Sequence, residues 1–126
     1  MTPKEATALA RRAVACPRWR WMPGMVTTYG QRIARVDADG YTVAYTRGGH
    51  LQMVEADALP NLTDPATVGC LLALVREAYN DPFAHVEYEL GEWIVWATPE
   101  GRRGKYSMSV RKTEAEALVA ALEAAP

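Results

Sequence analysis

The sequence predicts a single α+β domain in which antiparallel sheets pack against a central, largely apolar helix. The chain has 126 residues, of which 49% are apolar, enough for one hydrophobic core. Three segments combine a helix start signal with helical periodicity. The segments between them alternate in polarity and are separated by glycine-containing turns, as in antiparallel hairpins. The predicted sandwich has the order α-ββββ-α-βββ-α, and its halves, residues 1–58 and 59–126, share one core.

The first helix is predicted to begin at Thr2 and to end near Cys16. Thr2 and Glu5 have the spacing of a capping box, and Pro3 takes the first helical position, where a missing N–H costs nothing. Pro17 disfavours helical geometry in the residue before it and ends the helix.

The segment that follows, Arg18-Trp19-Arg20-Trp21, alternates basic and aromatic residues. In an extended conformation both tryptophans lie on one side and both arginines on the other. Two interpretations follow. The tryptophans fill the core beside a solvated arginine pair, or all four residues form a surface that stacks on bases and binds phosphate.

Four strands are predicted in the first half, forming an antiparallel meander. They cover residues 25–29, 31–37, 41–46 and 51–54, and Gly40 supplies the positive φ that the turn at 37–40 needs. A second turn, at residues 47–50, carries Arg47 and His50. These two side chains are candidates to join the Arg-Trp segment in one anion-binding site.

Residues 64–80 are predicted to form the central helix. Asp64 is the capping residue and Pro65 occupies the first helical position. Between Val68 and Val75 the helix is apolar on almost every side, and such a helix needs cover on more than one face.

The second half predicts three strands and a final helix. The strands cover residues 85–90, 92–98 and 105–111, and the middle one is apolar on both faces, as interior strands are. The exposed hairpin tip before the last strand is a second candidate anion site, with Arg102, Arg103 and Lys105. Thr113 and Glu116 form another capping box, and the helix is predicted to run to about Ala124.

Charge is distributed unevenly along the chain. The net charge is −1, but residues 1–54 have eight basic and three acidic residues, whereas residues 55–126 have six and twelve. This asymmetry indicates either a basic face for an anionic ligand or two halves that attract each other. The longest apolar run, residues 69–75, is too short to cross a bilayer. No signal-peptide core is present, and we therefore expect a cytoplasmic protein.

No catalytic or metal-binding motif is present. His50 and His85 are isolated, no P-loop or zinc-ligand spacing occurs, and Cys16 and Cys70 are predicted to be buried free thiols. We therefore expect a non-enzymatic binding protein without metal or cofactor. Its candidate ligand-binding residues are those of the two basic sites: Arg18, Trp19, Arg20, Trp21, Arg47 and His50, and Arg102, Arg103 and Lys105.

Three stretches, residues 10–25, 59–82 and 113–126, resemble small uncharacterised proteins of bacteriophages and prophages. The second half is also similar to the phage ABA sandwich domain. The resemblance implies a phage accessory protein that acts in the host cytoplasm. We expect it to inhibit bacterial immunity, by blocking a CRISPR effector or by sequestering a signalling nucleotide. Its partner would be a host defence protein or an anionic nucleotide, and a second copy of the chain in a homo-oligomer is a further candidate partner.

The alternative role is a structural or assembly accessory of the virion. Such a protein is expected to form oligomers and to bind no small ligand. An inhibitor directed at a protein would instead present the acidic residues Glu87, Glu89 and Glu92 to a nucleic-acid channel.

Overall fold

A computed structural model describes all residues 1–126 and confirms the α+β class, with three helices and two three-stranded antiparallel sheets. The order is α-βββ-α-βββ-α. None of the helices combines the length and the apolar character that a membrane span requires. The elements are α1 (Pro3–Ala15), β1 (Arg32–Val36), β2 (Thr42–Tyr45), β3 (Leu51–Met53), α2 (Pro65–Ala78), β4 (His85–Glu89), β5 (Glu92–Ala97), β6 (Tyr106–Arg111) and α3 (Glu114–Ala124).

All three helices begin at the predicted capping residues. The side chain of Thr2 accepts a hydrogen bond from the backbone N–H three residues later, and Asp64 and Thr113 do the same. Pro3 and Pro65 occupy the first turns of α1 and α2. Local sequence therefore determines where each helix starts, because these bonds satisfy N–H groups that the helix itself leaves free.

The first sheet has three strands, in the order β1-β2-β3, and not the four that the sequence predicts. Within residues 25–29, Val26 and Thr27 form only isolated bridges, to Arg32 and Pro60. On the side that faces away from β1, the Val26 N–H donates to the hydroxyl of Thr67 in α2 at 2.9 Å and the Val26 carbonyl accepts from Asn61 N–H. The segment thus ties the first sheet to α2, through a bond between residues 41 positions apart in the sequence.

The second sheet has the order β4-β5-β6, which confirms β5 as the interior strand. Its Val95 and Ala97 are fully buried, and α3 packs across β5 and β6. Glu89 pairs with Glu92, so the β4–β5 hairpin turns through only two residues, Leu90 and Gly91.

The helix that other elements enclose on most sides is α3, whereas the sequence predicted that α2 would have this central position. Seven of the eleven residues of α3 are buried, and the helix packs against α1, α2, β5 and β6. Four of the seven are alanines, which let neighbouring backbones approach closely: Ala115, Ala117, Ala120 and Ala121. In α2 several of the apolar residues counted as core are only half-buried, among them Val68, Cys70 and Leu72.

Replacing Leu90 with asparagine is expected to stabilise the protein by about 1 kcal/mol, because leucine strongly disfavours the left-handed conformation and asparagine tolerates it. Leu90 has φ 51° and Gly91 has φ 81°, the signature of a type I′ turn, and the leucine side chain is 96% exposed. Urea denaturation measures the effect. Leu90→Ala is the matched control, since it removes the side chain but keeps the Cβ. Equal stability of the two variants would contradict the backbone explanation.

Candidate functional site

Trp19 and Trp21 lie in the irregular segment that follows α1 and form an aromatic pair. Their ring centroids are 5.5 Å apart and the rings meet edge to face at 74°. Both side chains are half-buried and pack against the core, while Arg18 and Arg20 are exposed. The alternation along the segment thus separates the aromatic and the basic side chains. The tryptophans contribute to the core and retain part of their surface for solvent.

This aromatic pair lines an open groove of about 450 Å³ between the segment and the β1–β2 hairpin. We call it the Trp groove. Its one charged lining residue is Arg20, and the rest of the wall is apolar or small. The lining residues are Trp19, Arg20, Trp21, Met22, Pro23, Val36, Gly40 and Thr42. The groove therefore offers aromatic surface with a single cation at its edge.

Arg20 forms an ion pair with Glu77, near the end of α2. The Nη1 atom lies 3.1 Å from Oε1 and 3.0 Å from Oε2, and more than half of each side chain is exposed. Exposed pairs of this kind contribute little to stability, so an anionic ligand can compete for the guanidinium. Arg18 is occupied elsewhere, since its Nη2 donates to the carbonyl of Pro126 at 2.8 Å.

Arg47 and His50 do not line the Trp groove. They lie on the turn between β2 and β3, whereas the groove is bordered by the turn at Gly40, at the other end of β2. The four residues of β2 separate the two turns by roughly 10 Å or more. Arg47 instead lines a shallow polar cleft with Tyr29, Gln31 and Glu55. The sequence predicted that Arg47 and His50 join the Arg-Trp segment in one site, and the structure keeps the two apart.

The three cations of the β5–β6 hairpin tip have different surroundings and do not form one site. The guanidinium of Arg102 lies 5.8 Å from the ring centroid of Tyr106, a cation–π arrangement. Lys105 is exposed, but its Nζ donates to Asp81 Oδ2 at 3.0 Å and to the Phe83 carbonyl at 2.9 Å. Arg103 is exposed. This tip therefore has fewer free cations than the sequence suggests.

Asp81 is a residue whose importance the sequence analysis missed. Its buried carboxylate accepts hydrogen bonds from the N–H groups of Phe83 and Thr98, at 2.9 Å each, and from Lys105. Burial raises the pKa of Asp81, but these bonds outweigh it, and the pKa lies below its usual value. The Asn80-Asp81-Pro82 sequence after the helix was a turn signal. It gave no sign that the aspartate would join α2 to the distant β5–β6 hairpin.

Two buried hydroxyl groups, on Ser109 and Tyr79, hold α3 in place. Ser109 Oγ donates to the Ala117 carbonyl at 2.6 Å, and the Tyr79 hydroxyl donates to the Ala121 carbonyl at 2.7 Å. Burial raises the pKa values of Tyr79, Cys16 and Cys70, which keeps all three protonated at neutral pH. No group of three or more histidine, cysteine, aspartate or glutamate side chains has a geometry that could hold a metal ion.

The Trp groove is therefore the candidate binding site, with Arg20 as its cation and Glu77 as the partner of that cation. Arg18, Arg47 and His50 lie outside its lining, and the hairpin tip is a separate feature. No protein-family model, curated protein or solved structure matches this chain, and the site rests on its own geometry.

Proposed function

We propose that this chain is a non-enzymatic binding protein whose Trp groove takes an anionic ligand with a planar ring, such as a signalling nucleotide. The observation that carries the proposal is the half-exposed Trp19–Trp21 pair beside Arg20 in one open groove. Indole faces stack on bases, and a guanidinium at the edge binds phosphate.

The electrostatic part of the proposal depends on the exchange of partners at Arg20. In the free protein the guanidinium binds Glu77 across solvent-exposed surface. A phosphate brings a larger charge and a matching fork geometry, so it displaces the carboxylate at small cost. Glu77 thereby weakens binding to the ligand.

The biological role we propose is counter-defence by a phage or prophage protein inside the bacterial host. It is supported by the resemblance of residues 10–25, 59–82 and 113–126 to phage proteins. Sequestration of a signalling nucleotide is the form that fits the Trp groove. Inhibition of a CRISPR effector is the other form, and it would use the exposed carboxylates of Glu87 and Glu89 on β4.

Arg20→Ala and Glu77→Gln are expected to change ligand affinity in opposite directions, because both break the same ion pair but only the first removes the cation. Titration with a cyclic dinucleotide and with AMP, followed by tryptophan fluorescence, measures the effect. We expect Arg20→Ala to weaken binding on the order of tenfold or more, the magnitude of one charge-assisted hydrogen bond. Glu77→Gln is expected to strengthen it.

Arg18→Ala serves as the control, because Arg18 is basic and exposed but does not line the groove. Equal effects of Arg20→Ala and Glu77→Gln would mean that the ion pair is merely structural. Native mass spectrometry of protein purified from a host with active defence systems would identify a retained ligand by its mass.

An assembly role in the virion is the second candidate function. It is favoured by large apolar side chains left exposed on the first sheet, among them Tyr45, Leu51 and Met53. Exposed apolar patches of this kind mark protein contacts. This role predicts a stable oligomer and no bound nucleotide.

A further inference from the structure

The free edge of the first sheet is β3, and apart from its short length of three residues it lacks the features that protect sheet edges. The β1 edge is covered, because Gly24 N–H donates to the Ile33 carbonyl and Ile33 N–H donates to the Met25 carbonyl. In the second sheet, β4 bears two glutamates and β6 has an irregular register opposite Val95 and Trp96. Strand β3 has no charge, no proline and no bulge in its pairing with β2. Such an edge is a template for another strand.

The backbone groups available at this edge follow from the ladder. Val54 N–H donates to the Thr42 carbonyl, and Thr46 N–H donates to the His50 carbonyl. Hydrogen-bonded pairs alternate along an antiparallel ladder, so Gln52 bonds β2 while the N–H and C=O groups of Leu51 and Met53 point outward. Two donors and two acceptors are therefore presented in one row.

We propose that β3 pairs in antiparallel fashion with β3 of a second copy, joining the two first sheets into one six-stranded sheet. The two-fold axis passes beside Gln52, so that Leu51 of each copy lies opposite Met53 of the other. In this register the outward groups of both strands form four hydrogen bonds. The Leu51 and Met53 side chains, each about half exposed in the single chain, become cross-strand neighbours.

The charges on either side of β3 favour a second copy of this chain as the partner, and they favour antiparallel over parallel pairing. Arg47 lies in the turn before the strand, and Glu55 and Asp57 follow it. Antiparallel pairing brings the start of one strand beside the end of the other, and thus a cation beside carboxylates at both ends of the interface. Parallel pairing would place like charges together.

Analytical ultracentrifugation of the full chain, from about 1 µM to about 1 mM, covers weak and strong dimers and tests the proposal. The decisive variant is Met53→Pro. It removes an outward N–H and costs no bond to β2, so an edge strand accepts it without unfolding. Met53→Ala is the matched control, since it shortens the side chain and keeps the N–H.

We expect a wild-type dimer whose dissociation constant rises on the order of tenfold or more in Met53→Pro, and by less in Met53→Ala. Arg47→Glu is expected to weaken the dimer, and Arg47→Glu combined with Glu55→Arg to restore it. Melting temperatures of all variants report whether the monomer stays folded. A wild-type monomer over the whole range overturns the proposal, and so does a folded Met53→Pro variant that dimerises like wild type. The Trp groove is untouched by these changes, so nucleotide binding is tested independently.

Discussion

Replacing Asp81 with alanine is expected to lower the free energy of unfolding by about 3 kcal/mol, because each donor left without a partner costs about 1–3 kcal/mol. The change leaves the Phe83 and Thr98 N–H groups without their acceptor and Lys105 without its counter-ion. Urea denaturation at neutral pH measures the loss. Asp39→Asn is the control, because Asp39 is an exposed turn residue. A loss below about 1 kcal/mol would mean that water replaces the carboxylate at no cost.

The same carboxylate is expected to make stability depend on acid pH. Hydrogen bonds keep the folded-state pKa of Asp81 below its unfolded value of about 3.9. The contribution of the ionised Asp81 to the free energy of unfolding is therefore complete above that value. It is lost as the pH falls through the folded-state pKa. The difference in unfolding free energy between wild type and Asp81→Asn should shrink between pH 7 and about pH 2. Asp64, whose pKa is also lowered, remains in both proteins and cancels in the comparison.

Replacing Leu118 in α3 with alanine is expected to cost about 3–4 kcal/mol, the range for a fully buried leucine. Leu118 is 0% exposed and lies in the helix that contacts α1, α2, β5 and β6. Leu72→Ala in α2 is the matched control, because the same atoms are removed from a half-buried position. Thermal and urea denaturation of both variants compare the two helices directly. If Leu72→Ala costs as much as Leu118→Ala, α2 shares the central position that the sequence assigned to it.

Local sequence determined the helices and most strands of this protein. Thr2, Asp64 and Thr113 each cap a helix through bonds to residues three positions away, and such short-range bonds are visible in a single sequence. The interior position of β5 followed from apolar residues on both of its faces. In the Arg-Trp segment, period-2 alternation correctly separated the exposed arginines from the half-buried tryptophans.

Long-range contacts decided the features that the sequence predicted wrongly: the number of strands in the first sheet, the central helix and the partner of Lys105. Residues 25–29 look like a strand and bond residues 31 and 33 on one side, but their other side is held by Thr67 and by residues 59 and 61, and only isolated bridges result. The apolar character of α2 predicted that this helix would be the central one. The alanines of α3 permit closer packing, and close packing depends on the shapes of the neighbouring elements, which a single sequence does not show. Lys105 was predicted to be a free cation of the hairpin tip, and the fold pairs it with Asp81.

The candidate site shows the same division. Its Trp and Arg20 side chains are adjacent in sequence and were named from it, whereas Glu77, 57 positions away, came only from the fold. Arg47 and His50 were excluded from the groove because the turns of a meander alternate between the ends of a sheet. Properties that depend on neighbours in the chain were determined by the sequence alone. Properties that depend on which distant groups compete for the same donor, charge or space were decided by tertiary structure.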